Sequence, residues 1–444
     1  MTELEEKIRK REARVAVLGL GYVGLPTAAL IAEEGFRVVG LDIKKEIVDR
    51  VNSGKIEIRE PGLPELVRKV VNRGLLRATT SSYEALSKSN IILVIVQTPL
   101  KKDKSPDLGP LIGACEEVTR YISRDTLVII ESTLPPGAMD EVIRPVLESG
   151  GLRAGSDFYL AYSPERAIPT RTLEEIKGNP RLIGGINRKS AEAAGEFYRS
   201  FVDGELFLED LKTVEMVKLI ENTYRDVNIA LANEIARLCE GIGVDAIKAI
   251  ELANKHPRVH IHRPGAGVGG HCIPKDPYFL IHKASDLDIR LEVIEAARRI
   301  NETMPLHVVQ MVEKALKSVN KRPEECKIAI LGVAYKGDTD DVRGTPAETI
   351  IKKLMVSRAF VYSHDPFVKQ DFGGKFSNNL EEVLDSSDCV VVVTDHSLYK
   401  TLDPRDLAKN LDRPCVLVDA RRILNPGEVE KQGLTYFGVG YKGA

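Results

Sequence analysis

Val15-Ala16-Val17-Leu18-Gly19-Leu20-Gly21-Tyr22-Val23-Gly24 is the stretch that decides the fold. Four apolar residues read as a buried strand, and G-x-G-x-x-G follows directly. Gly19 makes the tight turn, Gly21 admits a pyrophosphate, and Gly24 lets the next helix pack close. The pyrophosphate then meets a helix N-terminus, where unpaired N–H groups and the dipole favour an anion. A glycine-rich turn alone could be a bare strand–helix connection. Here the second β-branched run ends in Asp42, at the spacing expected for an acid that binds ribose hydroxyls. Asp42 would repel a 2′-phosphate, which favours NAD over NADP, although Lys44 and Lys45 pull the other way.

Outward from this turn, residues 14–131 alternate β-branched runs with amphipathic segments, the pattern of a parallel sheet with crossover helices. Strands are predicted at Val15–Leu18, Val38–Leu41, Ile91–Val96 and Thr126–Ile130, and near Phe158–Ala161. Gly35 suits the C-terminal cap of the first helix, and Pro61 to Gly74 reads as a second helix. From Leu211 the spacing turns helical, with Val214, Val217, Ile220, Val227, Ala230 and Leu231 on one stripe. It resumes from Leu291 to Val319 after a glycine-rich interruption. Lys327–Gly332 opens a second α/β unit, with strands at Phe360–Tyr362, Val390–Val393 and Val416–Val418. The expected class is α/β: two Rossmann-like doubly wound domains joined by a central long-helix segment, divided as 1–208, 209–318 and 319–444. Residues 2–12 form a short charged helix to which the sequence assigns no function.

A chain of 444 residues exceeds one hydrophobic core. Its net charge of -2 gives no reason to expect nucleic acid or an anionic membrane as partner. It has no apolar run long enough to span a bilayer and no signal-peptide pattern at its start, so cytoplasm is expected. The high Lys, Arg and Glu content without Trp suits a thermophile. The six cysteines show no CxxC pair, which argues against structural zinc and a disulfide framework. Cys389 and Cys415 read as strand core and Cys239 as part of a helical stripe.

Cys272 differs, because it sits in Gly269-Gly270-His271-Cys272-Ile273-Pro274-Lys275-Asp276. Glycines let a substrate approach the backbone, and a thiol with an ionisable neighbour is a candidate nucleophile. A nucleotide cofactor combined with a covalent cysteine implies oxidation through a thioester. His271 finds no second ligand at suitable spacing, so no metal site is expected.

The GLGYVG start, Thr98-Pro99, Glu131-Ser132-Thr133, Ser163-Pro164-Glu165, the segment from Glu215 through Lys218 to Asn222, and GGHCIPKD follow one another in order. Together they resemble the UDP-glucose/GDP-mannose dehydrogenase family over essentially the whole chain. That resemblance implies an NAD-binding domain, a central helical dimerisation segment and a C-terminal domain that holds the nucleotide sugar. It implies two successive oxidations of the sugar C6 by NAD, and a homodimer. On the matching positions, Cys272 is the nucleophile, while Lys218 and Asn222, one helical turn apart, stabilise the developing oxyanion. Asp276, Glu165 and Thr133 position and activate water, with Glu165 taken as the principal base and Asp276 as its alternative. The resemblance places Gly19, Gly21, Tyr22, Val23, Gly24, Asp42, Thr98 and Thr133 at the cofactor. It places Glu165, Arg166, Lys218, Asn222, Arg258, Arg263, Gly269, Lys336 and Arg421 at the UDP-sugar, where cations match a diphosphate. In Val418-Asp419-Ala420-Arg421, Ala replaces the glycine of the family's D-G-R.

Residues 252–272 are most similar to the branch acting on UDP-N-acetyl-D-mannosamine, whereas Pro274-Lys275-Asp276 is similar to the UDP-glucose branch. UDP-N-acetylglucosamine is the nearest rival substrate, differing only at C2. Two other functions fit parts of the chain. A two-electron 3-hydroxyacid dehydrogenase shares the glycine-rich start and a lysine on a long helix, but needs neither the cysteine nor the second α/β domain. A catalytically silent nucleotide-sugar-binding regulator would not need Cys272, Lys218, Asn222 and Asp276 together.

Overall fold

A computed structural model describes residues 2–441. The chain forms two compact units: one runs through Glu221 and includes Tyr278–Asp288, the other comprises Asn222–Pro277 and the chain from Ile289 onward. The cut falls inside a single helix, Leu211–Ile242.

The first unit is built on eight strands: β1 (Arg14–Leu18), β2 (Arg37–Leu41), β3 (Leu76–Thr79), β4 (Ile91–Val94), β5 (Leu127–Ile130), β6 (Tyr159–Tyr162), β7 (Arg181–Gly185) and β8 (Leu206–Asp210). Their order is β3-β2-β1-β4-β5-β6-β7-β8, parallel except where β6 meets β7. β4 and β5 are buried along their whole length, which explains their unbroken apolar sequences. The order reverses between β1 and β4, so a crevice opens beyond the ends of those strands. Leu18 pairs with Leu41, which sets the Gly19 turn beside Asp42.

The terminal helix Glu3–Arg9 starts with a capping box from Thr2 and Glu5. It buries Leu4 and Ile8 and ties Arg9 to Glu196 at 2.7 Å, so it packs on the first unit's outer helix, Arg188–Tyr198. The predicted second helix is Leu63–Asn72, entered through Gly62 in the left-handed region.

The second unit carries β9 (Lys327–Leu331), β10 (Phe360–His364), β11 (Lys375–Phe376), β12 (Ser387–Val392), β13 (Leu411–Asp419) and β14 (Thr435–Gly438). Their order, β11-β10-β9-β12-β13-β14, is parallel throughout and again reverses beside its first strand. The helix Glu292–Ser318 packs Met304, Val308, Val312 and Ala315 into the same core as Ile328, Ile330 and Val391. Arg298 Nη1 donates to Asp226 Oδ1 at 2.6 Å, bracing this helix against the later part of Leu211–Ile242. The long helix does not bury one stripe as its spacing suggested. Val214 and Ala230 are buried, but Ile220 and Leu231 are about half exposed. No helix among the described residues is long and apolar enough to cross a membrane.

Candidate active site

The cofactor side is assembled at the β1–β4 crevice. Gly19 has φ +92°, and a Cβ there would stand 2.4 Å from the Ile95 carbonyl oxygen. A Cβ on Gly24 would stand 1.9 Å from the Gly19 oxygen, so both positions exclude a side chain. At Gly21 a Cβ would meet nothing within 4 Å, which leaves open space beside the backbone. The helix Gly24–Glu33 begins at Val23 with no side-chain cap, and of its first turn Leu25 N–H already donates to the Gly21 carbonyl at 3.1 Å while Pro26 has no N–H to offer. These features fit a pyrophosphate. Asp42 Oδ2 accepts from Leu20 N and Oδ1 from Lys44 N, both at 2.9 Å, which aims the carboxylate along the turn. Tyr22 is 42% exposed at the mouth. Thr98 Oγ1 donates to the Thr133 carbonyl at 2.9 Å, and Ser132 Oγ donates to the Val96 carbonyl at 2.7 Å. The turns after β4 and β5 are thereby joined.

Beyond β6, Glu165 is mostly buried and fully engaged. Its Oε1 accepts from the backbone N–H groups of Arg166 and Ala167 at 2.6 and 2.7 Å, and its Oε2 accepts from Arg181 Nη1 at 2.6 Å. Burial works against this charge, but Arg181 and the two N–H groups outweigh it and hold the carboxyl below its ordinary value. The Glu165 carbonyl accepts from Lys218 Nζ at 2.8 Å, and Lys218 is only 6% exposed. Arg166 pairs with Glu221 at 2.6 Å and also donates to the Pro180 carbonyl.

In the second unit Asn222 Nδ2 donates to Asp276 Oδ2 at 2.6 Å. Asp276 Oδ1 is buried with no hydrogen-bond partner among the described residues, and Lys275 Nζ stands 3.8 Å from it. The backbone N–H groups of Lys275 and Asp276 both donate to the Cys272 carbonyl, closing the turn that carries the thiol. Gly270 has φ +90° and donates to the Arg343 carbonyl at 2.9 Å. A Cβ on Gly269 or Gly270 would come within 2.7 Å of Tyr335, so the glycine pair is what lets this turn lie against Tyr335. Arg343 is itself held by Asp341 through both carboxylate oxygens.

Cys272 is exposed, and the other five cysteines are buried. Burial pushes the Cys115 and Cys415 thiols up to about 12, which leaves them inert as nucleophiles. His271 Nδ1 lies 3.9 Å from the Cys272 sulfur. Burial, aided by Lys275 and Arg343, pushes its imidazole down to about 4, so it is neutral at physiological pH.

The predicted sugar-nucleotide residues separate into two groups. Gly269 is buried in the Cys272 turn, and Lys336 follows Tyr335 on the segment beneath it. Arg421 Nη2 donates to Asp395 at 2.9 Å and lies against Gly265, just ahead of the turn. Arg258 and Arg263 instead lie on an exposed segment, where Arg258 bonds His256 and Arg263 pairs with Glu251 at 2.7 Å. Sequence reasoning missed Arg181 entirely. Its one signal was a cation opening the otherwise apolar run Arg181-Leu182-Ile183. It also missed Asp365 and His396, which brace the turn after β9 from outside any motif.

Three segments match models of the UDP-glucose/GDP-mannose dehydrogenase family: its NAD binding domain over 13–202, its central domain over 212–303 and its UDP binding domain over 329–426. The chain is 45% identical over 427 residues to a UDP-N-acetyl-D-mannosamine dehydrogenase of Pyrococcus horikoshii, covering 96% of this chain and 99% of that relative. The solved structure of UDP-D-ManNAc dehydrogenase from P. horikoshii superposes with a TM-score of 0.90 at 44% identity, over 96% of this chain and 99% of that one. A UDP-glucose dehydrogenase structure from Pyrobaculum islandicum superposes with a TM-score of 0.86 at 30% identity, over 97% and 98% of the two chains.

Proposed function

The chain belongs to the UDP-glucose/GDP-mannose dehydrogenase family and is an NAD-dependent UDP-sugar dehydrogenase; from that premise we propose that it oxidises C6 of UDP-N-acetyl-D-mannosamine twice, to the uronate. The substrate reading is supported by the 45% identity to a relative with that name, against 30% to a UDP-glucose dehydrogenase. UDP-N-acetylglucosamine and UDP-glucose are the alternatives. On this reading residues 1–208 hold NAD, 209–318 carry the nucleophile, and 319–444 hold the UDP-sugar.

The observation that carries the mechanism is the Cys272 turn: one exposed thiol, seated on a glycine pair, with a buried carboxylate four residues on. NAD supplies a two-electron hydride acceptor for each oxidation. The first converts the C6 alcohol to an aldehyde, releasing a proton. Cys272 sulfur then bonds to C6 as the C=O π bond opens and the thiol proton passes to the C6 oxygen, giving a thiohemiacetal. Lys218 and Asn222 offer a cation and an amide donor to the oxygen as its charge develops. Loss of the second hydride from C6 and of the proton from its hydroxyl leaves a thioester, and water breaks the carbon–sulfur bond to give carboxylate, thiol and a proton.

We place the hydrolytic base at Asp276 rather than Glu165. Both oxygens of Glu165 already accept strong hydrogen bonds, and its depressed basicity suits it poorly to taking a proton from water. Asp276 has a buried oxygen with no hydrogen-bond partner among the described residues, in the same turn as Cys272. A mechanism that needs Cys272 as a free thiol supports a reducing compartment such as the cytoplasm. A homodimer is supported by Tyr224, Leu231 and Leu238, exposed at seven-residue spacing on the long helix.

The test is NADH released per sugar, with excess NAD and limiting UDP-N-acetyl-D-mannosamine. Two per sugar is expected. One would reduce the protein to a simple alcohol dehydrogenase, and none, with turnover of UDP-N-acetylglucosamine or UDP-glucose, would correct the sugar.

A further inference from the structure

Arg181 opens β7 and carries a guanidinium into the interior of the first unit, its side chain 5% exposed. Every part of the fork is engaged. Nε donates to Ser163 Oγ at 2.9 Å, Nη1 to Glu165 Oε2 at 2.6 Å, and Nη2 to Glu131 Oε1 at 2.8 Å. The guanidinium lies 4.3 Å from the ring centre of Tyr198, whose hydroxyl donates to the same Glu131 oxygen at 2.6 Å. These partners come from separate elements. Glu131 follows β5, Ser163 and Glu165 follow β6, and Tyr198 ends the outer helix Arg188–Tyr198. A rigid planar fork bonded this way fixes the ends of β5 and β6 against each other.

What lies just past those strand ends gives the clamp its significance. Thr133 is two residues beyond Glu131, and its carbonyl receives the Thr98 hydroxyl. The Glu165 carbonyl is the acceptor on which the Lys218 ammonium rests. The charges are arranged unequally around the one cation. Glu165 receives two backbone N–H groups besides Arg181, whereas the second oxygen of Glu131 has no partner among the described residues. Burial pushes the Glu131 carboxyl up to about 7 against the pull of Arg181, while Glu165 is held down. The arrangement keeps Glu165 ionised and lets Glu131 take the proton.

We propose that Arg181 is a positioning residue for the oxidation: through Glu165 it holds the carbonyl that seats Lys218, and through Glu131 it holds the Thr133 turn. This rests on the reading in which Lys218 and Thr133 serve the reaction. With Arg181 removed, two buried carboxylates face each other without a cation, and Glu165 protonates more readily. Its bond to the 166–167 backbone then weakens and Lys218 loses its seat.

The experiment uses the full chain with NAD and the UDP-sugar that it turns over. Arg181→Ala is expected to lower kcat by about 100-fold, the scale for a misplaced reacting group. Guanidinium ion at millimolar concentration should restore part of that loss. Arg181→Lys keeps the buried charge and provides a folded protein if the alanine variant fails. It is expected to show a reduced kcat and an acid limb of the pH–rate profile moved to higher pH. An arginine with a merely structural role would lower the melting temperature while leaving the turnover of folded molecules and the pH profile alone. Parent-like kcat and pH profile in Arg181→Lys, alongside a Lys218→Ala variant that has lost turnover, would overturn the positioning role alone. Parent-like turnover in Lys218→Ala would overturn the reading beneath it and the proposal together.

Discussion

The two sheets begin alike and diverge within three residues. Gly19 after β1 and Gly332 after β9 both have φ +92°, and each donates its N–H to the last carbonyl of the neighbouring strand at 2.8 Å. In the first unit the helix then starts at Gly24, Gly21 leaves open space, and Asp42 after β2 is only partly buried. In the second, Ala334 stands two residues after the glycine, and the helix waits until Pro346. Asp365, which follows β10 as Asp42 follows β2, is 2% exposed and already satisfied. It accepts from the N–H groups of Val333, Ala334, Phe367 and Val368 and from His396 Nε2 at 2.9 Å. Topology therefore creates a crevice twice, but only in the first does a helix start five residues after the glycine, beside open space at Gly21 and a partly exposed acid. In the second, the acid is used by its own loop, and the long excursion from 332 to 345 instead reaches the Cys272 turn.

That contrast can be broken most forcefully at Asp365. Asp365→Ala strands four backbone donors and a histidine, and should cost about 3–5 kcal/mol in denaturant titrations followed by circular dichroism. A loss no larger than for an exposed acid would mean that the second turn is not held as described. Next is Gly21→Val, which fills open space beside the cofactor turn. We expect NAD affinity to fall about 10–100-fold, the overpacking scale of 1–3 kcal/mol, with the melting temperature unchanged. Unaltered NAD titrations would remove the case for a pyrophosphate there. Asp42→Ala should have a smaller effect, about tenfold in NAD affinity and a narrower preference over NADP, since hydrogen bonds to one carboxylate are lost.

The smallest effect is in pH. Glu131 is raised to about 7 by burial despite Arg181, and Glu215 to about 7 by burial among Asp140 and Glu141. Both bind a proton in the folded state before the unfolded chain does, whose ordinary value is 4.5. The first unit should therefore gain stability as pH falls from about 7 towards 4.5, and lose it as pH rises again. Asp365 and Asp395 are held below 3.8 despite burial, Asp365 by His396 and backbone N–H groups and Asp395 by Arg421. Their contribution in the second unit is intact above that value and is lost only as pH falls through their lower folded values. Hydrogen exchange at pH 7.5 and 5.5 should show the gain in the first unit alone, and Glu131→Gln should diminish it. Equal responses in the two units would contradict this assignment.

The central strands were legible because burial on both faces demands unbroken apolar residues, as in β4 and β5. β7 and β8 were not. β7 begins with a buried arginine and ends in two glycines, and β8 is a largely exposed edge strand. The helical register of Lys218 and Asn222 could be read from spacing, since one turn of helix is a local property. What those side chains touch depends on loops brought in from 53 and 54 residues away, and no local pattern encodes that. Glu165 shows the same limit. Its residue type suited a base, but its basicity is set by Arg181, whose role becomes visible only when β6 and β7 pair.

The seating of Gly269 and Gly270 on Tyr335 also bears on how such enzymes could be recombined. The turn that carries Cys272 is moulded on residues 335–344 of the UDP binding domain, so the two behave as one cassette although more than 60 residues separate them in the chain. A chimera that imported a relative's C-terminal domain for its sugar preference would also import a new cast for the cysteine. It would have to carry the 264–276 loop with it to keep the thiol in place.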